Sequence, residues 1–265
     1  MKGATRHFLL LVVVLLSSSS HLSAAERLDV VVRGKTLTLA IYRAAGPARG
    51  TILMASGDVG WVGLTVSLAG ELSAAGYVVA GINTRQYLSA FTSGSSHIQL
   101  SQVPSDYRTI RDALAQAHLL APPVVVSGAS EGAALSVLAA SDAASHAWID
   151  GVITMGLPPT AELAWRWTDV TSWISKRDAD EPSFAPEEVI AGVAPLPIWM
   201  IQSRRDEYVP RASYERLFAR ARDPKQITII GASNHRFTDK RPELSAAVAT
   251  ALAWIAQHAA RRGGS

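Results

Sequence analysis

The sequence predicts an α/β protein in which a mostly parallel sheet of about eight strands is covered by helices on both faces. Short apolar runs alternate with stretches of helical periodicity along most of the chain, which is typical of buried parallel strands with intervening helices. An antiparallel hairpin, Leu28 to Arg33 and Thr36 to Tyr42, precedes them. Because 48% of the 265 residues are hydrophobic, the chain can bury one sizeable core. We therefore expect one domain.

Each element follows from a local pattern. Six apolar runs predict buried strands: Thr51 to Ala55, Tyr77 to Ile82, Pro123 to Val126, Gly151 to Met155, Ile198 to Ile201 and Ile227 to Ile230. Five periodic stretches predict helices: Leu64 to Ala75, Ser105 to Leu119, Glu131 to Ala143, Arg211 to Ala221 and Pro242 to His258.

One segment, from Pro158 to Val193, interrupts this alternation. It holds three tryptophans, Trp165, Trp167 and Trp173, among charged residues. Such an insert between late strands is expected to lie over the carboxyl ends of the sheet, where ligands bind in open α/β folds. The sequence predicts a small cap here, over residues 158 to 193. Its tryptophans either face a substrate, as we expect of Trp165 and Trp167, or fasten the cap to the body.

The first 25 residues have the pattern of a secretory signal peptide. Two basic residues, Lys2 and Arg6, precede an unbroken apolar run from Phe8 to Leu16, and small residues at Ser23 and Ala25 mark a cleavage site. The apolar run is short for a membrane span, although an uncleaved anchor is the alternative. We expect a mature domain from residue 26 to 265 and a periplasmic location.

Composition excludes some classes of function. The chain has no cysteine, so neither a disulfide nor lipidation at the signal cleavage site is expected. Removal of Lys2 and Arg6 leaves 23 basic against 22 acidic residues, which gives no reason to expect a nucleic-acid partner. No Walker-type loop and no spaced cluster of metal ligands is present, so we expect neither a metal nor another cofactor.

The chemistry is centred on the five residues Gly128-Ala129-Ser130-Glu131-Gly132. This G-x-S-x-G motif lies between a predicted strand and a predicted helix, as a nucleophile elbow requires. In such an elbow the serine occupies a strained turn, and glycines two residues before and two after it relieve the crowding. Ser130 is therefore the predicted nucleophile.

A serine nucleophile needs an imidazole base and a carboxylate that orients it. In α/β-hydrolases the acid follows a late strand and the histidine follows the last strand. Asp206 and His235 occupy these places, with Glu207 as the alternative acid. Three other histidines, His118, His146 and His258, are interpreted as structural. His97 lies in a serine-rich loop that could border the mouth of the site.

The developing oxyanion of acyl transfer needs hydrogen-bond donors. The backbone N–H of Glu131, at the start of a helix, is one candidate. The second is the N–H of either Asp58 or Val59, in the glycine-rich loop that ends at Trp61. The Asp58 carboxylate either caps the local turn or binds an ammonium group of the substrate. Trp61 is also predicted to contact the substrate.

The loop Ser56-Gly57-Asp58-Val59-Gly60-Trp61, together with Asn83-Thr84-Arg85-Gln86-Tyr87-Leu88 after the second parallel strand, resembles the VirJ-type bacterial virulence protein domain of the α/β-hydrolase superfamily. The likeness covers most of the mature chain. It implies an α/β-hydrolase fold, a Ser130, Asp206 and His235 triad, and a periplasmic location. Some members are similar to enzymes that hydrolyse the aminoacyl ester of lysyl-phosphatidylglycerol, which implies peripheral contact with membrane lipid.

We therefore expect a periplasmic serine hydrolase that cleaves a small-molecule or lipid ester through an acyl-enzyme. The triad alone leaves amide substrates open. A different class, a non-catalytic periplasmic scaffold whose partner belongs to a secretion apparatus, is the alternative that the virulence-type resemblance supports.

Overall fold

An eight-stranded sheet forms the centre of the computed structural model, which describes residues 25–165 and 182–263. Its strands are β1 Glu26–Val32, β2 Lys35–Tyr42, β3 Thr51–Ala55, β4 Val78–Ile82, β5 Val124–Ala129, β6 Gly151–Met155, β9 Ile198–Ser203 and β10 Lys225–Ile230. The strand order is β1-β2-β4-β3-β5-β6-β9-β10. The pairs from β4 onward in this order are parallel, whereas β1 and β2 are antiparallel to their neighbours.

Helices cover both faces of this sheet. They are α1 Leu64–Ala74, α2 Thr84–Phe91, α3 Gln102–Gln116, α4 Glu131–Ser141, α5 Pro186–Val189, α6 Arg211–Arg220 and α7 Arg241–Gly263. Leu68 of α1 and Val248 of α7 belong to the core on one face. Ile110 of α3 and Leu135 of α4 belong to the core on the other face. The predicted layered α/β architecture is confirmed.

The predicted hairpin closes through a two-residue turn at Arg33 and Gly34. Both residues have positive φ, 46° and 77°. This is the backbone that a type I′ turn requires, and it matches the twist of the flanking strands. The turn fixes a register in which Val32 pairs with Lys35.

Two of the described helices were not expected from the sequence: α2 and the four-residue α5, which lies within the predicted cap. Helix α2 follows β4 directly, and its first turn is capped by Asn83, whose side chain accepts a hydrogen bond from the N–H of Gln86. With eight residues, of which Tyr87 and Leu88 are the large buried ones, its periodic pattern is too short to stand out. The asparagine N-cap was the available signal.

The segment predicted as a cap lies partly outside the described residues. Trp167 and Trp173 fall in that part, as does nearly all of the proposed signal peptide. What is described is a two-stranded antiparallel ribbon, β7 Ala161–Glu162 with β8 Ser183–Phe184, followed by α5 and a 3-10 turn, Ile190–Val193. Ala161 and Phe184 are buried in the core cluster that contains α4, so the ribbon is anchored beside α4.

The described helices include none that is both long and apolar enough to cross a membrane. Over the same residues, no group of three or more histidine, aspartate and glutamate side chains is placed to hold a metal ion.

Candidate active site

The sheet brings the sequence-predicted residues to one edge. Ser130 follows β5, Asp206 follows β9 and His235 follows β10. Because these three strands are parallel, the loops after them all lie at the carboxyl edge of the sheet.

Ser130 occupies a strained turn between β5 and α4. Its φ of 53° and ψ of −122° are unusual for a residue with a side chain. Its backbone N–H donates to the carbonyl of Met155 on β6 at 2.9 Å, which holds the turn against the sheet. This is the local geometry of a nucleophile elbow.

Two glycines permit this turn. A Cβ atom on Gly128 would lie 2.1 Å from the carbonyl carbon of Gly132, and a Cβ on Gly132 would lie 2.3 Å from the carbonyl oxygen of Ser56. The helix, the turn and the loop after β3 are therefore packed backbone to backbone. Only glycine fits at these positions without moving one of the three segments.

His235 and Asp206 are in direct contact. Nδ1 of the imidazole lies 2.7 Å from Oδ2 of the carboxylate. The Asp206 side chain is fully buried and that of His235 is 11% exposed. The other carboxylate oxygen of Asp206 accepts hydrogen bonds from the N–H groups of Tyr208 and Val209, both at 2.9 Å. Both oxygens are thus fixed, and the ring is left with Nε2 as its available nitrogen.

The alternative acid, Glu207, has a different contact. Its Oε2 accepts a hydrogen bond from the backbone N–H of His235 at 2.8 Å. Glu207 therefore holds the histidine loop, whereas Asp206 holds the imidazole. Gly156, after β6, packs against the same ring: its φ is 62°, and a Cβ there would lie 2.7 Å from Cε1 of His235. Gly156 was not predicted from the sequence, although its place directly after a parallel strand was a signal.

A cavity of about 860 Å³ lies over this edge of the sheet. Ser130 and His235 both line it, as do the three residues considered for the oxyanion site, Asp58, Val59 and Glu131. The loop after β3 approaches the nucleophile closely, since a Cβ on Gly57 would lie 3.5 Å from Cβ of Ser130. A serine, an imidazole, a helix N-terminus and a glycine-rich loop therefore all line the same cavity.

The loop after β3 is held by helix α2. The N–H of Thr84 donates to the hydroxyl of Ser56 at 3.1 Å, and the hydroxyl of Thr84 donates to the carbonyl of Ser56 at 2.6 Å. Within the loop, the N–H of Gly60 donates to the carbonyl of Gly57 at 3.1 Å. The backbone near Ser130 is therefore fixed by paired hydrogen bonds rather than by side-chain bulk.

The Glu131 side chain is an unusual acid at this site. Its Oε2 accepts a hydrogen bond from the N–H of Glu162, on β7, at 3.0 Å. Burial raises the pKa of Glu131 to about 8; the hydrogen bond from Glu162 opposes this shift, and the carboxylates of Glu162 and Asp58 add to it. At neutral pH the carboxyl of Glu131 is mainly protonated.

Three arginines also line the cavity, Arg85, Arg236 and Arg241. The Arg85 guanidinium lies over the ring of Trp165, 4.2 Å from its centroid, and Trp165 is itself a cavity-lining residue. None of these arginines was predicted from the sequence to have a role, although Arg236 adjoins His235.

Some predicted contacts lie elsewhere. Trp61 is not among the described residues that line the cavity; its ring covers Gly81 of β4, and its Nε1–H donates to the hydroxyl of Tyr42 at 3.3 Å. Trp167 lies outside the described residues. His97 lines a separate cavity, together with Arg33 and Lys35.

Two of the other three histidines contact backbone carbonyls, and the third is given only by its backbone conformation. His146 and His258 contact backbone carbonyls of Ala140 and Trp254, at 3.1 Å and 2.9 Å. His118 has a positive φ of 55° after α3.

Comparisons with known proteins agree on the architecture. No family model matches the chain, and no curated protein sequence matches it. Among solved structures, the esterase domain of a Rhodothermus marinus protein superposes with a TM-score of 0.61 at 16% identity, over 89% of this chain and 99% of that one. Dienelactone hydrolase from Anabaena variabilis gives 0.61 at 18% identity, over 87% and 96%. Est1E from Butyrivibrio proteoclasticus gives 0.60 at 13%, over 88% and 99%.

Similarity at such low identity concerns the path of the chain, not the substrate. The strand order, the parallel pairing and the nearly complete coverage of these structures agree with each other. The chain has the α/β-hydrolase fold.

Proposed function

We propose that this protein is a serine hydrolase that cleaves a carboxylic ester through an acyl-enzyme. The observation that carries the proposal is the 2.7 Å contact between His235 and the buried Asp206, in the cavity that also receives Ser130 from its strained turn. The esterase domain and the dienelactone hydrolase that share this fold support a hydrolase with an ester-cleaving role.

In this mechanism Nε2 of His235 takes the proton of Ser130 as the hydroxyl oxygen bonds to the ester carbonyl carbon. The carboxylate of Asp206 holds the tautomer with the proton on Nδ1 and stabilises the imidazolium. The backbone N–H of Glu131, with one from Asp58 or Val59, stabilises the oxyanion. The C–O bond to the alcohol then breaks, and the imidazolium gives its proton to the leaving oxygen. Water repeats the sequence on the acyl-enzyme and frees the acid.

A fluorophosphonate probe tests the proposal, because it reacts with serines that a base has activated. Wild-type protein is expected to be labelled, and Ser130→Ala and His235→Ala to lose labelling. On an activated ester, Ser130→Ala is expected to lower kcat by about three orders of magnitude or more while the protein remains folded. Ser105→Ala, an exposed serine on α3, is the matched control and is expected to be labelled at Ser130 as in the wild type.

Two results would contradict the proposal. One is labelling that persists in Ser130→Ala, which would place the reactive group elsewhere. The other is a folded wild-type protein that neither takes up the probe nor hydrolyses any ester, which is what the scaffold alternative predicts.

We also propose a narrower substrate, which rests on the resemblance to VirJ-type domains and on the position of one carboxylate at the cavity. The Asp58 carboxylate lines the cavity and could bind the ammonium of an aminoacyl ester. On this proposal the enzyme acts in the periplasm on lysyl-phosphatidylglycerol, as its N-terminal sequence also suggests. Release of lysine from vesicles containing that lipid, compared with hydrolysis of short neutral esters, separates this substrate from a general esterase substrate.

A further inference from the structure

One cation at the active-site cavity, Arg241, is incompletely hydrogen-bonded by the residues that the structure describes. Arg241, the first residue of α7, lines the cavity, and its Nη1 is buried without a hydrogen-bond partner among the residues that the structure describes. Burial lowers the pKa of Arg241, and the carboxylate of Glu71 counters this effect. Glu71, however, accepts a hydrogen bond from the hydroxyl of Ser245. Arginine carries five donors and remains charged, so a partly buried guanidinium of this kind is suited to an anion.

The position of Arg241 relative to His235 indicates which part of the substrate would carry that anion. Arg241 and the exposed Arg236 both follow His235 within six residues, and both line the cavity. In the proposed reaction the imidazole delivers its proton to the leaving oxygen, so the alcohol part of the ester lies on the imidazole side of the scissile bond. Helix α7 lies on the same face of the sheet as α1.

Two acids lie at another part of the cavity. Oε2 of Glu131 on α4 accepts a hydrogen bond from the N–H of Glu162 on β7. Helix α4 and β7 contribute to the core on one face of the sheet, whereas α7 contributes to the core on the other face. These two acids and Arg241 are therefore carried by elements on different faces of the sheet.

We propose that Arg241, assisted by Arg236, binds an anionic oxygen group, a phosphate or a carboxylate, on the alcohol part of the ester substrate. This inference rests on the proposed ester hydrolysis. It makes Arg241 a specificity-determining residue, because a guanidinium binds a phosphate or carboxylate through paired, charge-assisted hydrogen bonds.

Three butyryl esters test it: those of glycerol, of glycerol 3-phosphate and of glycerate, which are neutral, phosphorylated and carboxylated. Wild-type enzyme is expected to have a kcat/KM for one anionic ester at least about tenfold above that for the neutral ester. Arg241→Gln is expected to lower this ratio about tenfold or more, mainly through KM, and Arg241→Lys to retain part of it. The two anionic arms distinguish phosphate from carboxylate recognition.

The readout is the ratio between esters because a general loss of structure lowers both rates and leaves the ratio unchanged. Arg27→Gln, an exposed arginine on β1 at the sheet edge, is the matched control and is expected to keep the wild-type ratio. A ratio near one in the wild type, or an unchanged ratio in folded Arg241→Gln, would overturn the proposal.

Binding of the anion is measured separately from hydrolysis, so that the anion site is tested even if the protein hydrolyses no ester. Ser130→Ala, which cannot turn over the ester, is titrated calorimetrically with glycerol 3-phosphate and with glycerate. Binding of at least one ligand that is lost in Ser130→Ala/Arg241→Gln supports the anion site, even if no ester is hydrolysed. Absence of binding for both ligands contradicts the site, even if esters are hydrolysed.

Discussion

At the residue scale, the strained turn at Ser130 depends on two nearby glycines. Gly128 and Gly132 have ordinary negative φ values, so their role is not to adopt a left-handed backbone. The reason for glycine is space, since a Cβ at either position would lie within 2.1 to 2.3 Å of backbone atoms. Backbone atoms cannot turn aside as a flexible side chain can, so the whole elbow would have to open.

We predict that Gly132→Ala destabilises the protein severely. Its methyl group would meet the carbonyl oxygen of Ser56, and the expected loss in free energy of unfolding is about 3 kcal/mol or more. Urea denaturation followed by circular dichroism measures this loss. Gly231→Ala is the control, because a Cβ there has no atom within 4 Å. Equal midpoints for the two variants would show that the close packing around Ser130 does not constrain the fold.

This crowding was partly visible in the sequence. The G-x-S-x-G spacing predicted which residues flank the serine, and the structure gives the reason. The orphaned Nη1 of Arg241 and the contact between Glu131 and Glu162 were not predictable. They depend on the positions of segments that lie far apart in the sequence, and no local pattern specifies such positions.

At the element scale, the predicted limits of a strand agree best with the observed limits where the strand is buried. The strands at Thr51–Ala55 and Gly151–Met155 match their predicted limits, because central parallel strands are buried on both faces and are continuously apolar. β10 begins two residues earlier than predicted, at Lys225, where an edge strand has exposed positions that weaken the apolar pattern. Helix α2 was missed because it is short.

An ion pair between the buried carboxylate of Asp106 and the partly exposed guanidinium of Arg33 connects elements that the sequence does not relate. Asp106 on α3 is almost fully buried; it accepts three hydrogen bonds from the Arg33 guanidinium, at 2.9 to 3.1 Å, and one from the hydroxyl of Tyr87 at 2.7 Å. The hairpin turn, α2 and α3 therefore meet at one carboxylate. Burial, and next the charge of Asp106, raise the pKa of Tyr87 well above its ordinary value.

We predict that Asp106→Ala lowers the free energy of unfolding by about 3 kcal/mol, because it leaves the Tyr87 hydroxyl and most of the Arg33 guanidinium without an acceptor. Chemical denaturation measures the change. Glu26→Gln removes the partner of the exposed pair with Arg43 and is the control, for which we expect an unchanged midpoint. If the two substitutions have equal effects, the Asp106 contacts do not stabilise the junction of these three elements.

At the scale of the whole molecule, the parallel sheet explains why so much of the site could be predicted. Residues from β5, β9 and β10 are separated by as many as 105 positions, yet the topology alone places the ends of these strands together. What topology does not specify is the charge of the space above those ends. That property depends on which side chains reach the cavity, and one of them, Glu131, makes the stability of the whole molecule depend on pH.

The pH dependence of stability follows from Glu131. Its carboxyl would titrate near 4.5 in the unfolded chain, whereas burial raises its pKa to about 8 in the fold. Between these values the folded protein holds a proton that the unfolded chain has lost. The contribution of this group to stability is therefore complete below pH 4.5 and falls as the pH rises toward 8, by at most about 1.4 kcal/mol per pH unit.

We predict that Glu131→Gln removes this dependence while leaving the backbone N–H of residue 131 in place. The free energy of unfolding of the variant, relative to that of the wild type, is expected to increase between about pH 5 and about pH 8.5. Urea titrations at those two pH values measure the difference, with the exposed Glu188→Gln as the control. A difference that stays constant with pH, or that decreases, would mean that Glu131 is already ionised in the folded protein. The Glu162 N–H would then donate to a full carboxylate beside Ser130.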